Sequence, residues 1–139
     1  MLGNFIDRVL KKKWSDEQIQ SYVGSHKASY LTHATDTTVR RNAASGGVAS
    51  ALLIHGLRSG TFDGTVVCKT VLVDGKIRAK LEIATTIDEV LEAQGSKYVE
   101  TRFLQEVLPL LRSFKGRVAV VGLPCDISAL RHRCDKEPA

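Results

Sequence analysis

The dipeptide Asp74-Gly75 stands between two stretches suited to β-strands, Gly64–Val73 and Lys76–Ile83, and few local patterns constrain a chain more tightly. A two-residue type I′ turn needs positive φ at both central positions. Gly adopts that region freely and Asp tolerates it, so the pair predicts an antiparallel hairpin at residues 65–83. In the second stretch Ile77, Ala79, Leu81 and Ile83 alternate with charged residues, which predicts a strand with one apolar and one wet face. An isolated hairpin is marginal in water, so the apolar face must find cover elsewhere in the chain.

Four segments offer that cover. Ser45-Gly46-Gly47 leads into Val48, Ala49, Ala51, Leu52, Leu53, Ile54 and Leu57 before Gly60, a helix nearly apolar all round and therefore expected to be buried. Thr85 or Thr86 followed by Glu89 reads as a capped helix start, running to about Ala93. Phe103, Val107, Leu108, Leu110 and Leu111 mark a further helix that Pro109 is expected to kink or stop early. Arg117–Val121 reads as a short buried parallel strand, followed by Gly122-Leu123-Pro124-Cys125-Asp126 and a helical pattern through Leu130. Strand, tight Gly-Pro turn and helix in succession form a ligand-binding layout in α/β proteins. Nearer the start, Ser15 is a candidate N-cap for a helix with Ile19, Tyr22 and Val23 on one face, stopping at Gly24. Residues 25–42 read as a long loop. The expected fold is α/β: a mixed sheet with an antiparallel hairpin and helices on both faces. Residues 1–30 form an N-terminal helical extension to a domain at 31–139.

A length of 139 residues suits one hydrophobic core, and 43% hydrophobic with 25% charged residues is a globular composition. No run reaches the roughly 18 apolar residues of a membrane span. The start, with Lys11-Lys12-Lys13 after a short apolar pattern, reverses a signal peptide's charge order, so a cytoplasmic location is expected. The three cysteines Cys68, Cys125 and Cys134 are too few for a disulfide framework, and no CxxC appears. A net charge of +5 suits an anionic partner without choosing one. No aromatic-rich basic stripe points to nucleic acid, and neither HExxH nor a Ser-His-Asp order is present. His26, His33, His55 and His132 are scattered.

Two turns and one thiol carry candidate chemistry. Ser45-Gly46-Gly47 lies where a loop becomes a helix, and backbone N–H groups at such a terminus hold phosphate, with Arg41 and its neighbour Arg40 upstream as fork-like donors. The same residues also read as an N-cap serine with two glycines in a tight turn. Gly95-Ser96-Lys97-Tyr98 joins a turn, a hydroxyl, a cation and an aromatic that suit a phosphate or a flat ring; as a bland alternative, Gly95 caps a helix. Cys125 opens a helix whose dipole favours its thiolate, giving a metal ligand or reactive thiol, or else it is a small packed residue.

In order and spacing, Arg41-Asn42-Ala43-Ala44-Ser45-Gly46-Gly47, Phe62-Asp63-Gly64, Ala93-Gln94-Gly95-Ser96-Lys97-Tyr98 and Val120-Val121-Gly122-Leu123-Pro124-Cys125 resemble the coenzyme F420 hydrogenase/dehydrogenase beta-subunit family. That resemblance implies an iron-sulfur flavoprotein subunit passing electrons between clusters, FAD and a second redox partner such as coenzyme F420, in company with other oxidoreductase subunits. It implies that Arg41, Ser45, Gly46, Gly47, Gly95, Ser96, Lys97 and Tyr98 line the flavin site, and that Cys125 is a ligand of a [4Fe-4S] cluster incomplete in this chain. Residues 31–139 would then be the N-terminal part of a flavin-binding domain that continues further. Asp126 stands where the family usually carries Gln, and the ferredoxin-like cysteine run of many members is absent. On the same implication, a carboxylate at Gly46 or Gly47 is expected to abolish flavin binding with the fold largely intact, and loss of the Lys97 charge to weaken it less. The competing classes are a non-catalytic anion- or nucleotide-binding module and a basic interaction domain.

Overall fold

Nine consecutive cross-strand pairs, from Thr65 opposite Ala84 to Val73 opposite Lys76, join β1 (Gly64–Val73) to β2 (Lys76–Ala84) in the computed structural model, which describes residues 15–28 and 30–136. Asp74 and Gly75 have φ of 51° and 70°, the left-handed pair that a type I′ turn requires. On its other side β1 pairs in parallel with β3 (Val118–Val120), Gly64 opposite Val118 and Val66 opposite Val120, so the sheet order is β2-β1-β3. The sheet is mixed, as the hairpin and the apolar run foreshadow. β3 is half-buried rather than buried, because it forms an edge of the sheet among the described residues.

The chain divides between Leu31 and Thr32. In the first unit, α1 (Asp16–Val23) starts at Ser15, whose hydroxyl accepts from the Gln18 N–H while the Gln18 side chain accepts from the Ser15 N–H. Gly24, at φ 76°, ends it. The Lys11-Lys12-Lys13 run and residues 1–14 generally lie outside the described residues.

In the second unit, α2 (Thr37–Asn42) and α3 (Val48–Arg58) precede the hairpin, α4 (Ile87–Glu92) and α5 (Phe103–Ser113) fill the connection to β3, and α6 (Pro124–Lys136) follows it. Adjacent residues of a strand face opposite ways. Val67 and Ala84 accordingly pack with Val39 of α2, Ile54 of α3 and Val90 of α4, while Val66 and Leu81 pack with Val107 of α5 and Leu130 of α6. Helices thus cover both faces, and the Gly64–Val67 half of β1 is buried throughout.

Three local readings need correction. Residues 37–42 are helical rather than loop, because the Asp36 carboxylate caps α2 by accepting from the N–H groups of Thr38 at 2.8 Å and Val39 at 3.0 Å. α3 is buried on one side only, at Ile54 and Gly56, and Leu52 is 65% exposed. Pro109 does not stop α5. Its missing N–H would have served the carbonyl of Gln105; both residues are exposed, so water can take that carbonyl.

Phe62-Asp63-Gly64 turns out to be the joint between the α3 end and the sheet. The Phe62 ring occupies the space a Cβ on Gly56 would need, which explains a glycine inside a helix. Asp63 Oδ2 accepts from the Arg117 backbone N–H at 2.7 Å and from Nε at 3.3 Å, and Arg117 Nη2 donates to the Gly60 carbonyl at 2.7 Å. A Cβ on Gly64 would come within 2.7 Å of Ile83 Cγ2. Gly56→Ala is therefore expected to destabilise the protein by about 1–3 kcal/mol through overpacking, against the usual gain from Ala in a helix; denaturant unfolding measures it.

Glu89 Oε2 accepts from the N–H groups of Thr85 at 2.8 Å and Thr86 at 3.0 Å, closing the capping box of α4. Those backbone donors hold the Glu89 carboxyl below the usual carboxylate range, as the Arg117 backbone N–H does for Asp63 and the Lys69 ammonium for Glu82. A carboxyl depressed by folding contributes stability above its unfolded pKa, and that contribution is lost as the pH falls through the folded value. The melting temperature is expected to drop as the pH falls from about 5 towards 2, since unfolded carboxyls titrate near 4, and Glu89→Gln should flatten that acid limb.

Candidate functional site

Gly47 is the N-cap of α3, at φ 74°, and no side chain caps the helix from there. Ser45 is not the cap. The first turn contains no acidic residue, and the first bond back to the cap runs from the Ala51 N–H to the Gly47 carbonyl at 3.0 Å. The N–H groups of Val48, Ala49 and Ser50 precede any intrahelical acceptor, so the positive end of the helix stands open. All three residues line a cleft of about 330 Å³, shared with Thr32, Ala43, Ala44, Ser45, Gly46, Gly47, Gly95 and Ser96. Two motifs some fifty residues apart in sequence therefore meet in one cavity.

Packing of the glycines shapes its floor. The Ala34 N–H donates to the Gly46 carbonyl at 2.7 Å, and a Cβ on Gly46 would stand 3.1 Å from the Thr32 carbonyl oxygen. A Cβ on Gly47 would press on the Val39 carbonyl oxygen at 3.2 Å and on Ala34 Cβ at 3.3 Å, in a backbone conformation that already favours glycine. Both glycines face neighbouring protein backbone. A carboxylate at either position therefore meets neighbouring backbone that must yield by a few tenths of an ångström, and at Gly47 it also meets a left-handed conformation.

On the opposite wall, Gly95 turns with φ 86° beyond the end of α4. Lys97 folds back over that end, its Nζ donating to the carbonyls of Ala93 at 3.0 Å, Gln94 at 2.8 Å and Gly95 at 3.0 Å. A lysine ammonium has three donors, and here all are engaged with backbone. Gln94 Nε2 donates to the Val39 carbonyl at 3.1 Å, the same oxygen that crowds Gly47, and so links the two walls.

Of the residues singled out in sequence, Ser45, Gly46, Gly47, Gly95 and Ser96 line the cleft, and Arg41, Lys97 and Tyr98 are not among its lining residues. Arg41 is exposed in the last turn of α2, and Tyr98 is 95% exposed. Ala43, Ala44, Val48 and Ala49 had no side-chain signal, because what they offer is backbone and the absence of bulk, and the hydroxyls of Thr32 and Ser50 lay outside the motifs singled out. Proximity of Ala43, Ala44 and Val48 to the glycine turn was their one sequence cue.

Cys125 is exposed in the first turn of α6 and Cys134 is exposed nine residues later on the same helix. Nine residues rise about 13–14 Å and turn two and a half times, which sets the two sulfurs on opposite sides of the helix. Cys68 is half-buried in the layer with α5 and α6, and that burial pushes its thiol pKa up, away from ligand or nucleophile behaviour. No group of three potential metal ligands occurs among the described residues. They do not complete an iron-sulfur cluster, and Cys125 and Cys134 stand as two separate exposed thiols.

A helix opening its N-terminus into a cleft beside an α/β sheet is a ligand-binding arrangement. Residues 29–108 match the model of the family described as coenzyme F420 hydrogenase/dehydrogenase, beta subunit N-term, and the chain belongs to that family. It is 32% identical over 111 residues to the coenzyme F420 hydrogenase subunit beta of Methanosarcina barkeri and 35% identical over 109 residues to that of Methanococcus voltae. These matches take in 79% and 78% of this chain and 38% of each relative. The chain thus spans well under half the length of the relatives it matches. Its fold superposes on a chain of the F420-reducing [NiFe] hydrogenase complex of Methanosarcina barkeri with a TM-score of 0.64 at 29% identity, covering 79% of this chain and 38% of that one. No helix among the described residues is long and apolar enough to cross a membrane.

The geometry recasts Lys97 as the clamp of the cleft wall. Lys97→Met is expected to free three carbonyls, cost about 1–3 kcal/mol, and raise amide hydrogen exchange across residues 94–98. Unchanged exchange there would show that the wall holds without it.

Proposed function

We propose that this chain is the flavin-binding N-terminal part of an electron-transfer subunit of an oxidoreductase, and that the cleft takes the phosphates of FAD. One observation carries the reading: the open N–H groups of Val48, Ala49 and Ser50 share a cavity with Gly95 and Ser96, without an acidic side chain in the first turn of α3 to compete. Family membership and the named relatives support the same class of protein.

The fit is physical. Backbone donors at a helix N-terminus recognise an anion by geometry and dipole and need no side-chain cation, which accords with Lys97 being engaged elsewhere. Gly46 and Gly47 let the turn lie close against Thr32–Ala34 and Val39–Arg40, with no side chain between. Ser45, Ser50 and Ser96 add hydroxyls around the same space. Arg41 and Tyr98, exposed beside the motifs, would reach the parts of a dinucleotide that extend past the cleft.

When bound, FAD supplies the electron and hydride chemistry, while the chain binds and orients it. The electron acceptor or donor in this reading is coenzyme F420 or another redox partner, and the setting is a cytoplasmic complex with other oxidoreductase subunits. Cys125 contributes one thiolate to a [4Fe-4S] cluster whose remaining ligands come from outside the described residues.

Ala49→Asp tests the placement of the phosphates without harming the scaffold. Ala49 is exposed at the second position of α3, where a carboxylate favours the helix dipole by about 0.3–1 kcal/mol. The variant is expected to melt no lower than the parent yet bind FAD about tenfold more weakly or worse, as measured by flavin fluorescence titration. Full affinity in that variant would place the phosphates elsewhere.

A further inference from the structure

Past Thr70 and Ala79 the hairpin runs beyond both helix layers while staying fully paired, Leu72 opposite Ile77 and Val73 opposite Lys76, up to the turn at Asp74-Gly75. Its side chains sort by face. The face that continues the α5 and α6 layer carries Cys68, Thr70 and Leu72 from β1 and Leu81, Ala79 and Ile77 from β2, with no charge among them. Leu72 is 73% exposed and Ile77 64%. On the other face stand Lys69, Val71 and Val73 with Lys80, Arg78 and Lys76. Glu82 and Glu92 hold Lys69, and Glu82 reaches Lys80 at 3.5 Å; Lys76 and Arg78 have no ion-pair partner among the described residues.

We propose that this end of the hairpin docks into a groove on another protein subunit, with Leu72 and Ile77 against an apolar wall and Lys76, Arg78 and Lys80 against carboxylates. Protection of a sheet edge explains lysines on β2 but not an opposed pair of large apolar side chains left in water. Single exposed apolar residues are ordinary, whereas this pair is opposed across the hairpin and extends a core face. Charge selects the occupant. A second copy would bring two like-charged tips together, each with Lys76 and Arg78 unpaired among the described residues, and a bilayer would have to receive Asp74 at the apex of the turn. An acidic protein groove meets both faces.

The proposal rests on the subunit reading above, so flavin content is measured beside assembly. The tagged full-length protein is purified from its source cells, treated with a zero-length carbodiimide cross-linker, and mapped by mass spectrometry. Cross-links from Lys76 or Lys80 to Asp or Glu of one co-purifying subunit are expected. Leu72→Thr/Ile77→Thr keeps strand propensity and Lys76→Glu/Arg78→Glu alters the other face; each should lower recovery of that subunit about tenfold with flavin content unchanged. Recovery undiminished in both variants overturns the proposal, flavin bound or not. So do cross-links confined to copies of this chain, purification with no partner subunit, or flotation on phosphatidylglycerol vesicles that the Leu72/Ile77 variant abolishes.

Discussion

The pairing of β1 with β3 across more than fifty residues is the contact on which the rest of the second unit depends. It makes β1 a central strand, with an antiparallel neighbour on one side and a parallel one on the other. A parallel neighbour requires a crossover, and that crossover carries α4 to one face of the sheet and α5 to the other. Two polar devices pin the pairing. Asp63 and Arg117 meet at the entry to the two strands, and the wholly buried Thr65 donates its hydroxyl to the Ala119 carbonyl at 3.1 Å. Closing so long a loop costs entropy, and the buried faces of Val66 and Val67 repay it only when both helix layers are in place.

The cleft is a by-product of the layer formed by α2, α3 and α4. Val39, Ile54 and Val90 pack on Val67 and Ala84, which brings the start of α3 beside the end of α4. Gly46 and Gly47 allow that approach, and Gln94 and Lys97 fasten the far wall with hydrogen bonds to backbone carbonyls. The residues best placed to recognise an anion act through their main chain, while the cations that attract attention in sequence either serve the backbone or stand outside the cavity.

Much of the fold was legible because its signals are local. Asp74-Gly75 signalled the hairpin, and Ser15, and Thr85 or Thr86 with Glu89, signalled helix starts, which the structure closes with reciprocal bonds at Ser15–Gln18 and Thr86–Glu89. α2 was missed because six residues with one buried side chain, Val39, give no periodicity; its cue was Asp36 acting as a cap. Leu52 misled through composition, since an apolar residue on a helix does not say which faces find partners. Of the site, the glycine turn and Gly95-Ser96 stood out by residue type, and Ala43, Ala44 and Ala49 did not, because a backbone wall leaves no mark in side-chain chemistry.

By itself the sequence determined the hairpin, the capped starts of α1 and α4, the α/β character and the candidate glycine turns, all of them signalled by φ preferences and hydrogen bonds spanning a few residues. Only the tertiary structure decided that the two turns share one cleft, that Lys97 spends its donors on three carbonyls, that Phe62 lies against Gly56, and that Leu72 and Ile77 stand beyond the helix layers. Those outcomes follow from which surfaces meet when β1 joins β3. Contact between distant segments is set by packing all the layers at once, and no short stretch of sequence contains that information.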